Sequence, residues 1–109
     1  MNHKDIALLN FEESNHFGIL KKVIFTGVEM KSLVTQVAYA ELHSEDVVIE
    51  HSHDSMEEVF FVLEGSCEFE LDGVLHILKK ESVIKIPPRT FHRIKALSDS
   101  KLFYFSVAL

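Results

Sequence analysis

The segment EHSHDSMEEVF holds the residues with the clearest chemical potential. His51 and His53 stand two positions apart, so on a β-strand their imidazoles project from one face, about 6.6 Å apart along the chain. Glu57 and Glu58 follow at the start of the next apolar run. Two imidazoles on one strand and a carboxylate on its neighbour can form a mixed nitrogen and oxygen site for a metal ion.

A third histidine, His92, lies just inside the apolar run that follows the double-proline turn Pro87-Pro88. Three imidazoles and one carboxylate are enough ligands for a divalent transition metal, and an octahedral ion would keep two positions for water or substrate. The alternative is that these histidines are exposed or are hydrogen-bonded core residues. Three other histidines, His3, His16 and His43, fall in predicted termini or turns and are assigned no role.

The elements that must position these residues are short β-strands. Apolar residues alternate or run in short blocks, and no long stretch prefers a helical period. Turn signals separate the blocks, so we predict strands at 23–28, 33–42, 47–53, 58–63, 67–71, 74–78, 82–86, 91–96 and 102–108. About eight or nine short strands with regular turns favour an all-β fold, a sandwich or barrel. Residues 5–10 could form a short helix or an edge strand.

The clearest local unit is the hairpin CEFELDGVLHIL, in which Asp72-Gly73 is typical of a two-residue type I′ turn. This turn sets the register of the two strands and places three pairs on one face: Leu71 with Val74, Phe69 with His76, and Cys67 with Leu78. On the other face, Leu75 and Ile77 would be exposed. We therefore expect either the N-terminal segment or a second subunit to cover them, and a homodimer is the favoured interpretation.

Composition narrows the classes of partner and compartment. The 109 residues suit one domain, 1–109, in which 1–22 form an N-terminal arm or strand that packs on the barrel or on a dimer partner. A net charge of −6 and the lack of a basic stripe argue against nucleic acid. No apolar stretch is long enough for a membrane span, and the N-terminus does not read as a signal peptide. One cysteine, Cys67, fits a reducing, cytoplasmic setting.

The spacing of these residues resembles the two motifs of the cupin superfamily. The first motif, GX5HXHX3,4EX6G, matches His51, His53, Glu58 and Gly65, and the second, GX5PXGX2HX3N, matches Pro87 and His92. The match to Gly65 selects Glu58, and Glu57 then points to the opposite face. The sequence departs from the motifs at four turn and rim positions: Glu45, Glu81 and Arg89 in place of glycine, and Ala96 in place of asparagine.

The resemblance implies a small single-domain cupin, an antiparallel β-barrel of the jelly-roll type. It implies that His51, His53, Glu58 and His92 hold one divalent metal ion: iron, manganese, nickel, zinc or copper. The implied activity is that of a metal-dependent enzyme on a small organic molecule, either a dioxygenase or an isomerase or lyase. One alternative is a non-catalytic module that binds a sugar-like or hormone-like ligand. Another is a metal-free sugar-nucleotide epimerase, but such an enzyme would not need four metal ligands, so their presence argues against it.

Other residues of the expected interior are assigned by strand alternation. We expect five side chains to line the pocket: Phe60, Val62, Phe69, Leu71 and His76. Glu58 and His76 are the candidates for moving a proton, although His76 could equally be a core histidine. Tyr39 and Gln36 lie on opposite faces of one strand, so only one of them reaches the cavity. Arg89 is either a solvated turn residue or a contact for a substrate anion.

Overall fold

A computed structural model describes residues 2–109 and shows an all-β fold, as predicted. Its strands are β1 (Glu12–Glu13), β2 (Leu20–Thr26), β3 (Val34–Leu42), β4 (Val47–His51), β5 (Met56–Glu64), β6 (Ser66–Leu71), β7 (Val74–Lys79), β8 (Val83–Ile86), β9 (His92–Ala96) and β10 (Ser100–Ala108). A short 3-10 helix, Ile6–Leu8, precedes them within the segment expected to be a helix or an edge strand. The strand count is slightly higher than predicted because the two-residue β1 pairs with β2.

Two antiparallel sheets form the molecule. One has six strands in the order β1-β2-β3-β10-β5-β8, and the other has four in the order β4-β9-β6-β7. Alternation places one face of each strand against the opposite sheet, and the core between the sheets is apolar. Its largest fully buried side chains include Phe69, Ile86, Ile94, Leu102 and Val62. This arrangement leaves the inner faces of β3, β10 and β5 side by side.

The β6–β7 hairpin has the predicted register, with Cys67 opposite Leu78 and Leu71 opposite Val74. Asp72 and Gly73 have φ values of 46° and 81°, as the two central residues of a type I′ turn require. The N-terminal segment, as described from residue 2 onward, does not cover the outer face of this hairpin. Leu75 and Ile77 remain 53% and 49% exposed within the chain.

The N-terminal segment packs against β2 and β3 instead. Lys22 lies on the outer face of β2, and its Nζ donates to the carbonyl of Ile6 at 2.9 Å. The same ammonium lies 4.7 Å from the ring centre of Phe11 and 5.8 Å from that of Tyr39, which are cation–π distances. These contacts tie residues 6–11 to the sheet. None of the helical structure in residues 2–109 has the length and apolarity needed to cross a membrane.

Candidate metal centre

The fold brings together the four predicted ligands, His51, His53, Glu58 and His92. One potential ligand atom from each lies within 4.8 Å of the corresponding atoms of the other three. They come from the end of β4, the loop after it, β5 and the first position of β9. The prediction that one strand carries both histidines of the HxH pair is wrong, because β4 ends at His51 and leaves His53 in the loop. The β4–β9 register pairs His51 with His92 after an irregularity that begins at Val48, and the two ring centres lie 4.1 Å apart.

Glu58 lies at the centre of the cluster and is only 7% exposed. Its Oε1 is 3.4 Å from Nε2 of His53 and 3.5 Å from Nε2 of His92. Within residues 2–109 this oxygen is buried and has no hydrogen-bond partner. The other oxygen, Oε2, accepts a hydrogen bond from the Ser106 hydroxyl at 3.4 Å. A buried carboxylate oxygen without a partner is costly, so Oε1 is placed for a cation.

Two of the imidazoles are oriented by backbone carbonyls. His51 Nδ1 lies 2.8 Å from the carbonyl oxygen of Ile49, and His92 Nδ1 lies 2.9 Å from that of Thr90. When Nδ1 carries the proton and donates it to a carbonyl, Nε2 keeps its lone pair. This second hydrogen bond is the usual way in which proteins fix a metal-ligating histidine.

The separations of these atoms fit a shared ion. Ligand atoms about 2.1 Å from one metal lie about 3.0 Å apart at right angles and about 3.4 Å apart at tetrahedral angles. The two distances from Glu58 Oε1, 3.4 and 3.5 Å, lie at and just above the upper end of this range. Three imidazoles and a carboxylate are the donor set that iron, manganese, nickel, zinc and copper accept. The residues present therefore fit a divalent transition metal.

The Glu58 carboxylate and the neighbouring imidazoles shift the pKa values of one another. Burial raises the pKa of the Glu58 carboxyl, but the facing imidazoles of His92, His53 and His51 outweigh burial and leave this pKa below its usual value. Burial lowers the pKa of His92, but the Glu58 carboxylate and the Thr90 carbonyl outweigh it and raise this pKa. Burial lowers the pKa of His51, which favours the neutral imidazole that a metal requires.

A cavity of about 110 Å³ opens beside the cluster and is lined by all four of its residues. Much of its remaining wall is apolar: Ile19, Ala40, Leu42, Val48, Met56, Phe60, Ile94 and Leu102. Tyr104 also lines it and stacks on Phe60, with ring centres 4.8 Å apart. Burial and the charge of Glu58 raise the pKa of Tyr104 to about 12, so its hydroxyl stays protonated and can donate.

Several expected pocket residues lie elsewhere. Of the five predicted, Phe60 lines the cavity, whereas Val62 and Phe69 are fully buried in the core and Leu71 packs against that core. The prediction that His76 reaches the cavity is wrong. It projects from the same side of the hairpin as Phe69, but β7 is the edge strand of its sheet and His76 is exposed there.

Of Tyr39 and Gln36, it is Gln36 that lies on the inner face of β3 and reaches the cavity. Gln36 lines the cavity, while Tyr39 packs outside against Phe11 and donates from its hydroxyl to Glu41 at 2.6 Å. Arg89 is an exposed turn residue and does not line the cavity. Its backbone N–H donates to the carbonyl of His53 at 2.7 Å and so holds the loop that carries this candidate ligand.

Residues 14–16 of the N-terminal segment also line the cavity, which the sequence pattern does not predict. The His16 ring centre lies 4.6 Å from that of His51, and burial together with the neighbouring His51 lowers the pKa of His16. A tight turn holds His16 there: the Ser14 hydroxyl donates to the Ile19 carbonyl at 2.6 Å and accepts from the His16 N–H at 3.1 Å. No spacing in the sequence links this turn to the HxH segment.

Comparison with known proteins agrees with this geometry. Residues 38–108 match the profile of the Cupin_2 family, described as the cupin domain. The uncharacterized protein MJ1618 of Methanocaldococcus jannaschii is 36% identical over 52 residues, which are 48% of this chain and only 42% of that protein. The chain therefore matches less than half the length of this relative.

Solved structures share the fold. A predicted oxalate decarboxylase from Thermotoga maritima superposes with a TM-score of 0.89 at 19% identity, over 96% of this chain and 97% of that one. A salicylate 1,2-dioxygenase from Pseudaminobacter salicylatoxidans superposes with a TM-score of 0.63 at 21% identity, over 66% of this chain and 20% of that one. At these identities the likeness establishes the architecture, and the chemistry has to be argued from the site.

Proposed function

The chain belongs to the cupin family, and from that premise we propose that it holds one divalent transition metal and acts as a metal-dependent enzyme on a small organic molecule. The proposed ligands are His51, His53, Glu58 and His92. The reaction class is that of a dioxygenase or of an isomerase or lyase. The names of the two structural neighbours, a predicted oxalate decarboxylase and a salicylate 1,2-dioxygenase, support small organic substrates of this kind.

One observation carries the proposal. Glu58 Oε1 is buried without a hydrogen-bond partner in the described chain and lies between two imidazole Nε2 atoms. A carboxylate that served only to stabilise the fold would be expected to have both oxygens satisfied. Here Ser106 satisfies one oxygen, and the other lies 3.4 and 3.5 Å from the Nε2 atoms of His53 and His92. Such an arrangement is stabilised when a cation is bound.

The chain's own residues define what can happen beside the metal. A bound divalent ion would supply Lewis-acid polarisation of a substrate oxygen, or a position for dioxygen if the ion is iron. Phe60 and Leu102 contribute apolar surface to the wall of the cavity. The Tyr104 hydroxyl remains protonated and can donate a hydrogen bond to a bound molecule. Glu58 is a candidate for accepting a proton through Oε2, the oxygen that Ser106 contacts, because Oε1 is the atom proposed to hold the cation.

A parallel assay of metal-loaded protein tests the proposal. Protein reconstituted with iron(II) is screened for dioxygen consumption, and protein with manganese(II) or zinc(II) for solvent deuterium exchange into small hydroxy and keto acids by NMR. His92→Ala serves as the metal-site control and His43→Ala as an exposed control. Turnover that His92→Ala abolishes and His43→Ala retains supports the enzyme. Metal-dependent binding without turnover across the panel would contradict it and favour a binding module.

We also propose that the protein is a homodimer. The outer face of the six-stranded sheet carries Val59, Phe61 and Leu63, which are only half-buried in the single chain. Leu75 and Ile77 add apolar surface on the other sheet. A second copy would remove such surface from water. Gel filtration with light scattering at micromolar concentration should report twice the mass of the chain, and a monomer there would contradict the dimer.

A further inference from the structure

Lys21 and Gln36 are two polar side chains that line the cavity and lie outside the metal cluster. They come from the neighbouring strands β2 and β3. Lys21 Nζ donates to Gln36 Oε1 at 3.2 Å. The pair therefore forms one polar feature in a wall that is otherwise largely apolar.

The register of the six-stranded sheet relates this pair to the metal cluster. Gln36 on β3 is opposite Ser106 on β10, and Ser106 is opposite Glu58 on β5. All three residues occupy one row across three adjacent strands. Since neighbouring strands lie about 4.8 Å apart, the Cα atoms of Gln36 and Glu58 are separated by about 10 Å. A small molecule in the cavity could therefore contact the amide of Gln36 and the metal cluster together.

The position of Lys21 shows that its ammonium is directed into this row. In the β2–β3 register Lys21 is opposite Ala40, four residues along the strand from Gln36. Because Lys21 Nζ bonds to Gln36, the side chain extends along the strand direction, on the face of β3 that also carries Ala40 and Ala38. Ala40 and Ala38 are 4% and 0% exposed, so larger residues there would compete with the lysine for space.

The carboxylates around this ammonium lie beyond ion-pair distance. Glu12 is the cross-strand partner of Lys21 on β1 but forms no ion pair with it. Among the described residues that line the cavity, Glu58 is the one carboxylate, and its contacts are with imidazoles and Ser106. Across residues 2–109, Lys21 forms no ion pair with an aspartate or glutamate. The next residue, Lys22, points to the opposite face and contacts a carbonyl and two rings, so the two lysines have different surroundings.

The hydrogen-bonding capacity of the pair indicates its ligand. An ammonium has three donors, and Lys21 uses one of them on Gln36. With its Oε1 occupied, Gln36 presents an amide NH₂ that can only donate. Two adjacent donor groups with one positive charge match the two oxygens of a carboxylate.

We propose that Lys21 and Gln36 bind a carboxylate group of a small organic acid whose other polar end lies at the metal cluster. This assignment rests on the proposed function, because it places the acid in the same cavity as the metal. It makes Lys21 and Gln36 specificity-determining residues, and it gives the substrate class as small organic acids with a second oxygen function.

Calorimetric titration of the zinc-loaded protein with malonate tests the assignment, with the neutral diamide malonamide as the matched probe. We expect malonate to bind and malonamide to bind at least ten-fold more weakly. Lys21→Met should weaken malonate binding about ten-fold or more, because a hydrogen bond to a charged group is lost. Gln36→Leu should weaken it about two- to ten-fold, as expected for one neutral donor. Lys85→Met changes an exposed lysine on β8 and should leave binding unchanged.

Zinc content, measured on every sample, separates this proposal from the proposed function. If Lys21→Met and Gln36→Leu keep their zinc and bind malonate as the wild type does, the carboxylate assignment is overturned. A wild type that binds zinc but not malonate, or that binds inorganic phosphate more tightly than malonate, overturns it as well. A wild type that takes up none of zinc, manganese or iron contradicts the proposed function alone. In that case, malonate binding by metal-free wild type that Lys21→Met loses would still support the pair.

Discussion

Ser106 and Glu58 are partners across β10 and β5, and the serine hydroxyl donates to Oε2 of the carboxylate at 3.4 Å. Ser106 is fully buried and Glu58 nearly so. This contact holds one carboxylate oxygen, and the other is left to face the imidazoles of His53 and His92. The orientation of the candidate ligand therefore depends on a residue of the neighbouring strand that does not itself reach the cluster.

Ser106→Ala tests this dependence. Loss of a hydrogen bond that orients a ligand reduces metal affinity by about 10- to 100-fold, and we expect a reduction in this range in competition titrations with a zinc chelator. Ser100→Ala is the matched control, since Ser100 is a buried serine at the other end of β10 that bonds to carbonyls. Equal zinc affinity in wild type and Ser106→Ala would contradict a positioning role for the serine.

Glu58→Gln tests the charge coupling in the metal-free protein. Because the Glu58 carboxylate raises the pKa of His92 against the effect of burial, we expect this pKa to fall when the charge is removed. Glu57→Gln is the matched control, since Glu57 points to the outer face of β5. Imidazole NMR titration measures both variants, and a His92 pKa unchanged by Glu58→Gln would contradict the coupling.

The same pair sets a pH window for stability of the metal-free protein. The lowered pKa of Glu58 stabilises the folded state; this stabilisation is complete above pH 4.5, the ordinary pKa, and is lost as the pH falls through the lowered pKa. The raised pKa of His92 also stabilises the folded state; this stabilisation is complete below pH 6.5 and is lost as the pH rises through the raised pKa. The stability difference between wild type and Glu58→Gln should therefore be largest between these values. If urea unfolding showed that this stability difference kept growing above pH 8, the result would contradict the raised pKa of His92.

Much of the fold and the main cluster could be predicted because both depend on local patterns. The Asp72-Gly73 turn sets the hairpin register, and the motif spacing selected His51, His53, Glu58 and His92. The cavity wall could not be predicted in the same way. His16 arrives through a turn with no regular period, and Lys21 reaches Gln36 by extending along the strand direction. His76 was misplaced because alternation gives the face of a strand but not whether another layer covers it.

The two glycines at 65 and 73 offer a matched pair of substitutions. Both have positive φ, 83° and 81°, but a Cβ at Gly73 would meet open space. A Cβ at Gly65 would lie 2.9 Å from the Cα of Ser100 and closer still to the carbonyl oxygen of Asp99. We expect Gly73→Ala to cost about 1–2 kcal/mol and Gly65→Ala about 1–3 kcal/mol more, measured by urea unfolding. Equal losses would mean that the contact with Asp99 and Ser100 relaxes freely.

Three of the four departures from the cupin motifs keep the backbone that glycine would adopt. Glu45, Glu81 and Arg89 replace motif glycines, and their φ values are 76°, 69° and 58°. A left-handed conformation costs a residue with a Cβ about 1–2 kcal/mol. Glycine avoids this cost, but its larger conformational entropy in the unfolded state offsets part of the benefit. We therefore expect Glu81→Gly to be about 0.5–1 kcal/mol more stable than Glu81→Ala in urea unfolding. An alanine variant that is equally stable would contradict backbone strain at this turn.

The most direct test of the account is the metal content of untagged protein, measured by inductively coupled plasma mass spectrometry. The site predicts about one equivalent of a divalent transition metal in the wild type and in His43→Ala, an exposed histidine outside the cluster. His51→Ala and His92→Ala should both lose it while they retain the far-ultraviolet circular dichroism of a β protein. Wild-type protein that holds no metal after reconstitution, or folded variants that keep the full equivalent, would contradict the assignment of these residues.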